Sequence, residues 1–187
     1  KSVRFKNYNY IGDPMNAVKL FNEFKAYELV FLDIKASQQN RLISLDLVRA
    51  VGEEANMPFA VGGGIRSLKD IQEVTSNGAE KVILSSQAIK KPEFIKQASE
   101  TFGSSTIVVC IDVKKNLFKN NKVFINNGKS NTKIDPLEMA LLAESQGAGE
   151  IIIQSIDRDG LMAGYDIALI KMISEKVSIP VVALGGA

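Results

Sequence analysis

Short apolar runs alternate along the chain with amphipathic stretches at helical spacing, and this order restricts the possible folds more than any other feature. The runs are rich in Val and Ile and are bounded by Gly, Asp or Ser, as buried parallel strands are. The predicted strands are Leu29–Ile34, Phe59–Val61, Lys81–Leu84, Ile107–Ile111, Ile151–Ile156 and Val181–Leu184. The predicted helices are Pro14–Phe24, Leu42–Ala55, Leu68–Ser76, Glu93–Thr101, Leu137–Gln146 and Ile167–Lys176. The alternation predicts an α/β fold with a parallel sheet.

The chain also matches itself at an offset of 122 residues. The coinciding residues are Asp13-Pro14 with Asp135-Pro136, Glu28 with Glu150, Pro58 with Pro180, Leu29-Val30-Phe31 with Ile151-Ile152-Ile153, and the glycines of 62–64 with Gly185-Gly186. Each half opens a helix with Asp-Pro, because proline suits the first helical turn and aspartate suits the helix N-terminus. Chance similarity between strands is the alternative, but coincident prolines and acids favour a true repeat.

Two α/β halves with short connections predict a closed (β/α)8 TIM barrel of two similar half-barrels. Such a barrel usually needs about 250 residues, and this chain has 187 with six predicted strands. We therefore expect a single barrel domain over residues 1–187 that lacks the first strand and the last βα unit. The long irregular stretch Val113–Lys133 is predicted to form a hairpin insertion with a functional role.

Composition excludes several classes of function. The chain has no histidine and one cysteine, Cys110, which excludes a Ser–His–Asp triad, a Cys–His dyad, a histidine-based zinc site and an intramolecular disulfide. We expect no metal and no cofactor. The 23 basic and 21 acidic side chains give no argument for nucleic acid or a membrane surface as partner. No apolar run approaches the roughly 18 residues of a membrane helix, so a cytoplasmic protein is expected.

Polar residues follow the predicted strands, where barrel enzymes carry their reacting groups. These residues are Asp33, Gly62–Gly64, Ser85-Ser86, Asp112, Ser155 with Asp157 and Asp159, and Gly185-Gly186. Asp112 follows an entirely apolar strand and is the candidate for proton transfer, although a simple helix cap also explains an acid there. For Asp157 and Asp159 the alternative is a helix cap or a loop salt bridge. The glycine clusters suit phosphate, since backbone N–H groups without a neighbouring Cβ can approach an anion. Tight turning of the chain is the alternative explanation.

Several segments together resemble the cyclase subunit family of imidazole glycerol phosphate synthase, over essentially the whole chain. They are ELVFLDI at Glu28–Ile34, PFAVGGGIRS at Pro58–Ser67, TFGSSTIVVCID at Thr101–Asp112, GAGEIII at Gly147–Ile153 and SIDRDGLMAGYD at Ser155–Asp166. The resemblance implies a carbon–nitrogen lyase that forms a heterodimer with a glutaminase subunit and receives ammonia from it. It further implies cleavage of a bis-phosphorylated substrate into imidazole glycerol phosphate and an aminoimidazole ribotide, in histidine biosynthesis.

The resemblance also assigns roles to single residues. Asp112 matches one of two catalytic aspartates, and the other would precede Lys1. The residues predicted to bind substrate, from the strand ends and the resemblance together, are Lys1, Asp33, Gly64, Ser85, Ser86, Gln154, Asp159, Gly160, Gly185 and Gly186. Glu28, Lys81 and Glu150 match a ring of charges that gates ammonia at the strand-start end of the barrel.

Four positions depart from the pattern of the histidine-pathway enzymes and leave the identity of the substrate open. They are Lys35, Ser85, Gln154 and Leu184, all expected at the substrate mouth. The opening FKNYNYIGDP resembles a side branch of the family that channels ammonia to amidation of a surface-polysaccharide sugar. A third possibility is an inactive fragment or a non-catalytic partner, because the first aspartate is missing from this sequence.

Overall fold

The computed structural model describes residues 3–5 and 12–187. The contacts divide the chain into two compact units. The first unit is Ile11–Leu84, and the second is Ser85–Ala187 together with Lys1–Tyr10. Within the described part of the chain, no helix is both long enough and apolar enough to cross a membrane.

The first unit alternates three helices with three parallel strands. Its elements are α1 (Pro14–Glu23), β1 (Leu29–Leu32), α2 (Leu45–Glu54), β2 (Phe59–Gly62), α3 (Leu68–Ser76) and β3 (Lys81–Leu84). Strand β2 pairs in parallel with β1 and with β3 and is buried along its length. The expectation that every strand is buried is wrong for β1, because Val30 and Leu32 are each 39% exposed.

The second unit is built around β4 and contains the predicted hairpin. Its elements are α4 (Ser86–Lys90), α5 (Glu93–Phe102), a 3₁₀ turn (Ser104–Thr106), β4 (Ile107–Lys115), β5 (Asn121–Ile125), β6 (Ser130–Asn131), α6 (Pro136–Ser145), β7 (Glu150–Ser155), α7 (Ile167–Ser174) and β8 (Val181–Leu184). Strands β4, β7 and β8 are parallel neighbours, whereas β5 returns antiparallel to β4 and pairs with β6. Helix α4 was not predicted, since five residues are too short to show a helical apolar period.

The repeat in the sequence is also a repeat in geometry. Leu29 of β1 pairs with Phe59 of β2, and 122 residues later Ile151 of β7 pairs with Val181 of β8. The N–H groups of Leu29 and Ile151 both donate to a proline carbonyl oxygen, of Pro58 and Pro180 respectively, at 3.0 Å. The two strand pairs therefore share one register.

The helix caps of the two units correspond at the same offset. Asp13 accepts a hydrogen bond from the second residue of the helix that it precedes at 2.8 Å, and Asp135 does so at 2.9 Å. Ser44 and Asp166 each accept from a backbone N–H in the first turn of α2 and α7, both at 3.3 Å. These parallel strands alternating with capped helices confirm the predicted α/β class, that of a partial (β/α)8 barrel. The expectation of one barrel domain stays a prediction.

Candidate active site

Asp112 lies inside β4, not at its end as the sequence predicted. The strand continues to Lys115 because β5 folds back and pairs with it, with Asp112 opposite Phe124. On its other side Asp112 is in register with Gln154 of β7, which is in register with Leu184 of β8. The three side chains therefore lie in one row across neighbouring parallel strands.

The surroundings of Asp112 change its acidity. The residue is 9% exposed, and its Oδ1 lies 3.7 Å from the Sγ of Cys110. Burial is the largest influence on the pKa of Asp112 and raises it, the hydrogen bond from Cys110 lowers it, and the nearby charge of Asp159 raises it, so that the pKa is about 7. A carboxyl group that is half protonated near neutral pH can both donate and accept a proton.

Cys110 was missed as a site residue, although the sequence contained the signal. Side chains two residues apart in a strand point to the same face, so Cys110 had to lie beside Asp112 once the strand was recognised. Burial, and then the charge and hydrogen bond of Asp112, raise the pKa of the Cys110 thiol well above its usual range. Cys110 is therefore a neutral S–H donor to the carboxylate.

A cavity of about 220 Å³ lies beside this row of side chains in the second unit. Its lining consists of Asp159, Gly160, Tyr165, Leu184, Gly185, Gly186 and Ala187. The structure thus brings together four residues predicted to bind substrate, and Gln154 joins them by donating from Nε2 to Asp159 Oδ1 at 3.4 Å. A Cβ at Gly186 would overlap the Gly164 carbonyl oxygen, so this glycine is also required by the close approach of the loop.

The other charged residues between β7 and α7 hold the loop in place. Asp157 Oδ2 accepts the backbone N–H of Lys115 at 2.9 Å. Arg158 Nη1 donates to the carbonyl oxygen of Gly164 at 2.9 Å, and its Nε lies 3.9 Å from Asp166 Oδ2. Asp157 therefore has a structural contact with the backbone at the end of β4.

Asp33 and Gly64 organise the corresponding loop of the first unit. Asp33 Oδ1 accepts the N–H groups of Lys35 and Ala36, while Oδ2 forms a 2.6 Å ion pair with Arg41, which the sequence did not single out. Gly64 has a φ of 71°, and a Cβ there would overlap the Arg41 carbonyl oxygen. Both residues have a structural function, and substrate contact by either stays a prediction.

Ser85 and Ser86 begin the second unit and differ in their contacts. Ser86 Oγ accepts the backbone N–H of Asn126 at 3.0 Å. The buried Oγ of Ser85 has no hydrogen-bond partner among the described residues, which leaves a hydroxyl that a ligand could satisfy. Lys1 lies outside the described residues.

The predicted gate residues Lys81 and Glu28 are in contact. Lys81 Nζ lies 2.9 and 3.0 Å from the two carboxylate oxygens of Glu28, at the start of β3 and just before β1. Glu150 begins β7 in the second unit. Gating of ammonia by these residues stays a prediction. The described residues form no cluster of three or more acidic or thiol side chains that could hold a metal ion.

Comparison with known proteins identifies the family. The sequence model of the family described as "Histidine biosynthesis protein" matches residues 1–187. The chain belongs to this family.

Family members with individual names are similar over the whole chain. Three are each named "Imidazole glycerol phosphate synthase subunit HisF". The protein from Clostridium botulinum (strain Langeland / NCTC 10281 / Type F) is 44% identical over 187 residues, which are 100% of this chain and 74% of that protein. The Microcystis aeruginosa (strain NIES-843 / IAM M-2473) protein is 44% identical over 190 residues, covering 100% and 75%. The protein from Hydrogenobaculum sp. (strain Y04AAS1) is 45% identical over 187 residues, covering 100% and 74%.

Proposed function

We propose that this chain is the cyclase subunit of an imidazole glycerol phosphate synthase, a carbon–nitrogen lyase that uses ammonia supplied by a glutaminase subunit. The observation that carries the proposal is the buried Asp112, whose pKa of about 7 suits acid and base catalysis. The names of relatives 44–45% identical to this chain support the choice of reaction.

The chemistry that we propose needs repeated proton transfer. Addition of ammonia, cleavage of a carbon–nitrogen bond and closure of an imidazole ring each move a proton between nitrogen, oxygen and a neighbouring group. The chain contains no histidine to do this. Asp112 is suited to the role because a carboxyl with a pKa near the working pH has a large fraction in either protonation state.

The cavity lined by Asp159 and Leu184 supports a phosphorylated substrate. Gly160, Gly185 and Gly186 contribute backbone without side chains to its wall, which lets an anion approach main-chain N–H groups. Leu184 contributes an apolar wall. We propose that one phosphate of a bis-phosphorylated substrate binds here, close to the side chains of Gln154 and Asp159.

The strand-start end of the first unit supports docking of a glutaminase. Two large side chains that shortly precede Glu28 in the sequence are exposed, since Phe24 is 71% and Tyr27 98% exposed. Exposed aromatic side chains beside charged groups are typical of protein interfaces. The ion pair of Lys81 with Glu28 then lies where ammonia would enter, and we propose that it acts as part of a gate.

Substitution of Asp112 tests the proposed function. We expect Asp112→Asn to abolish ammonia-dependent turnover with the fold retained, because a side-chain amide is neither an effective acid nor an effective base near neutral pH. Asp46→Asn, at an exposed position on α2, is the matched control and should leave turnover unchanged. Turnover of the Asp112→Asn protein within about tenfold of the unsubstituted protein would reject the assignment.

Amidation of a surface sugar is the second candidate, and one feature favours it. Leu184, in register with Gln154, gives the cavity an aliphatic wall where a polar side chain could hold phosphate. Complementation separates the candidates. Growth of a histidine auxotroph that lacks its cyclase would support the first, whereas failure by a soluble protein would favour the second.

A further inference from the structure

The turn between β4 and β5 presents two large apolar side chains to solvent. Leu117 is 100% exposed and Phe118 is 84% exposed. The turn itself is hydrogen bonded, because Asn116 Oδ1 accepts the N–H groups of Phe118 and Asn120 at 2.9 and 3.0 Å. The backbone therefore holds both apolar side chains at the end of the hairpin. We call residues 114–122 the hairpin tip.

The charge around these side chains has one sign. Residues 113–134 contain six of the 23 basic side chains of the chain and none of the 21 acidic ones. The six are Lys114, Lys115, Lys119, Lys122, Lys129 and Lys133. The rest of the chain consequently has an excess of acids, and the near balance over the whole sequence conceals a strongly basic hairpin.

Two of these lysines lie directly opposite each other across the strands. Lys114 of β4 is in register with Lys122 of β5, and like charges in such a pair destabilise a sheet. Lys114 Nζ lies 5.6 Å from the centre of the Phe124 ring, which offsets part of the repulsion. Within residues 3–5 and 12–187, the structure gives the lysines of the hairpin tip no acidic partner. An external anionic surface would relieve this repulsion.

We propose that the hairpin tip docks on an anionic lipid bilayer, with Leu117 and Phe118 entering the interface and Lys115 and Lys119 binding lipid phosphates. Apolar side chains flanked by lysines are the pattern of peripheral membrane contacts, since burial of apolar area and attraction to anionic lipid act together. RNA would use the lysines and could stack on Phe118, but it offers no apolar layer for Leu117. A bilayer therefore matches both the apolar and the basic side chains of the hairpin tip.

Vesicle flotation tests the proposal with the whole chain. We expect the protein to float with vesicles of equal parts phosphatidylglycerol and phosphatidylcholine, and to stay in solution with phosphatidylcholine alone. Each lysine near an anionic surface contributes about fivefold in affinity, so Lys115→Gln with Lys119→Gln should weaken binding about 25-fold. Leu117→Ser with Phe118→Ser should weaken it at least about tenfold, because inserted apolar area is lost.

Controls separate the lipid proposal from general basicity. Lys69→Gln with Lys96→Gln removes the same charge from exposed positions on α3 and α5 and should change binding less than twofold. Circular dichroism and thermal unfolding would confirm that all variants are folded. The proposal is overturned if anionic vesicles do not bind, if the control pair weakens binding as much as the hairpin pair, or if the Leu117→Ser, Phe118→Ser protein binds normally. Tighter binding to polyuridylate than to vesicles, abolished by the hairpin lysine substitutions, would assign the surface to RNA instead.

Discussion

Cys110 and Asp112 lie two residues apart on one face of β4, and the thiol is the hydrogen-bond donor to the carboxylate, with Sγ 3.7 Å from Oδ1. Burial raises the pKa of Asp112, whereas this hydrogen bond lowers it, because a donor to the carboxylate favours the charged form. Through this contact Cys110 influences the protonation of Asp112.

Removal of the thiol should move the pH dependence of turnover. In Cys110→Ala the carboxylate loses a donor, so the pKa of Asp112 rises further above its present value of about 7. The limb of the pH–rate profile that depends on Asp112 should move to higher pH by less than about one unit, because a thiol is a weak donor. Turnover measured from pH 5 to pH 9 checks this.

Cys110→Ser is the companion variant, because the hydroxyl keeps a donor at the same position. In Cys110→Ser the limb of the pH–rate profile that depends on Asp112 should stay near its position in the unsubstituted protein. If alanine and serine move the profile equally, the effect is one of volume and the hydrogen bond has no influence on Asp112.

Asp112 should also make stability depend on pH. Its pKa is about 7 in the folded protein against an ordinary value of 3.8, so the folded state binds the proton more tightly than the unfolded state. The stability that proton binding by Asp112 contributes is complete below about pH 4 and is lost as the pH rises through about 7. Asp112→Asn should therefore be more stable than the unsubstituted protein at pH 8, by roughly 2–4 kcal/mol, and close to it at pH 4. Urea unfolding at both pH values measures the difference, and an equal gap at the two would show that titration of Asp112 is not its cause.

Lys81 provides a test of the proposed ammonia gate. Lys81→Met removes the charge that pairs with Glu28 at 2.9 Å while it keeps most of the side-chain volume. We expect activity with free ammonium to be retained and activity with glutamine plus the glutaminase subunit to change relative to it. Lys81→Arg keeps the charge and is the control. Loss of both activities, or of neither, would reject gating.

The sequence predicted the order of the elements well because apolar period and helix caps are local signals. β3 and β8 have the predicted bounds, and both Asp-Pro caps form as expected. The end of β4 was placed too early, since Asp112 and the lysines after it lack the apolar pattern of a buried strand. Pairing with β5 extends the strand, and such pairing is a tertiary effect that overrides composition.

The sequence singled out candidate site residues by residue type, and it did not predict the contacts that they form. Asp112 stood out as an acid after an apolar run. Arg41 did not, because only the folded loop places its guanidinium 2.6 Å from Asp33. Asp157 and Asp159 are alike in sequence, and their different partners, the backbone of Lys115 and the amide of Gln154, follow from three-dimensional placement alone.

Gly64→Ala distinguishes a structural glycine from one that only serves a ligand. The substitution places a Cβ against the Arg41 carbonyl oxygen at a positive φ. We expect a loss of about 2–4 kcal/mol in the free energy of unfolding. Gly103→Ala, also at positive φ but with nothing within 4 Å, is the control and should cost about 1 kcal/mol. Similar losses in the two variants would show that the carbonyl moves away without cost.

Anion binding tests the cavity of the second unit. Crystals grown with phosphate or sulfate should show an anion at the backbone of Gly160 and Gly186, both in the cavity wall. Backbone N–H groups that face an open cavity have few competing acceptors. Anions found only beside surface lysines would count against a phosphate subsite in this cavity.

The repeat has a consequence for how the two loops can diverge. Asp33 and Ser44 bound the loop of the first unit, and Ser155 and Asp166, each 122 positions later, bound its counterpart. In both units a cap at the far end and a glycine pressed against a loop carbonyl fix the backbone. Between these anchors the two loops are equal in length and carry different side chains. In the first unit Arg41 forms an ion pair with Asp33, whereas in the second unit Asp159 lines a cavity. Division of labour between two copies of one loop therefore needs only new side chains, with no insertion or deletion.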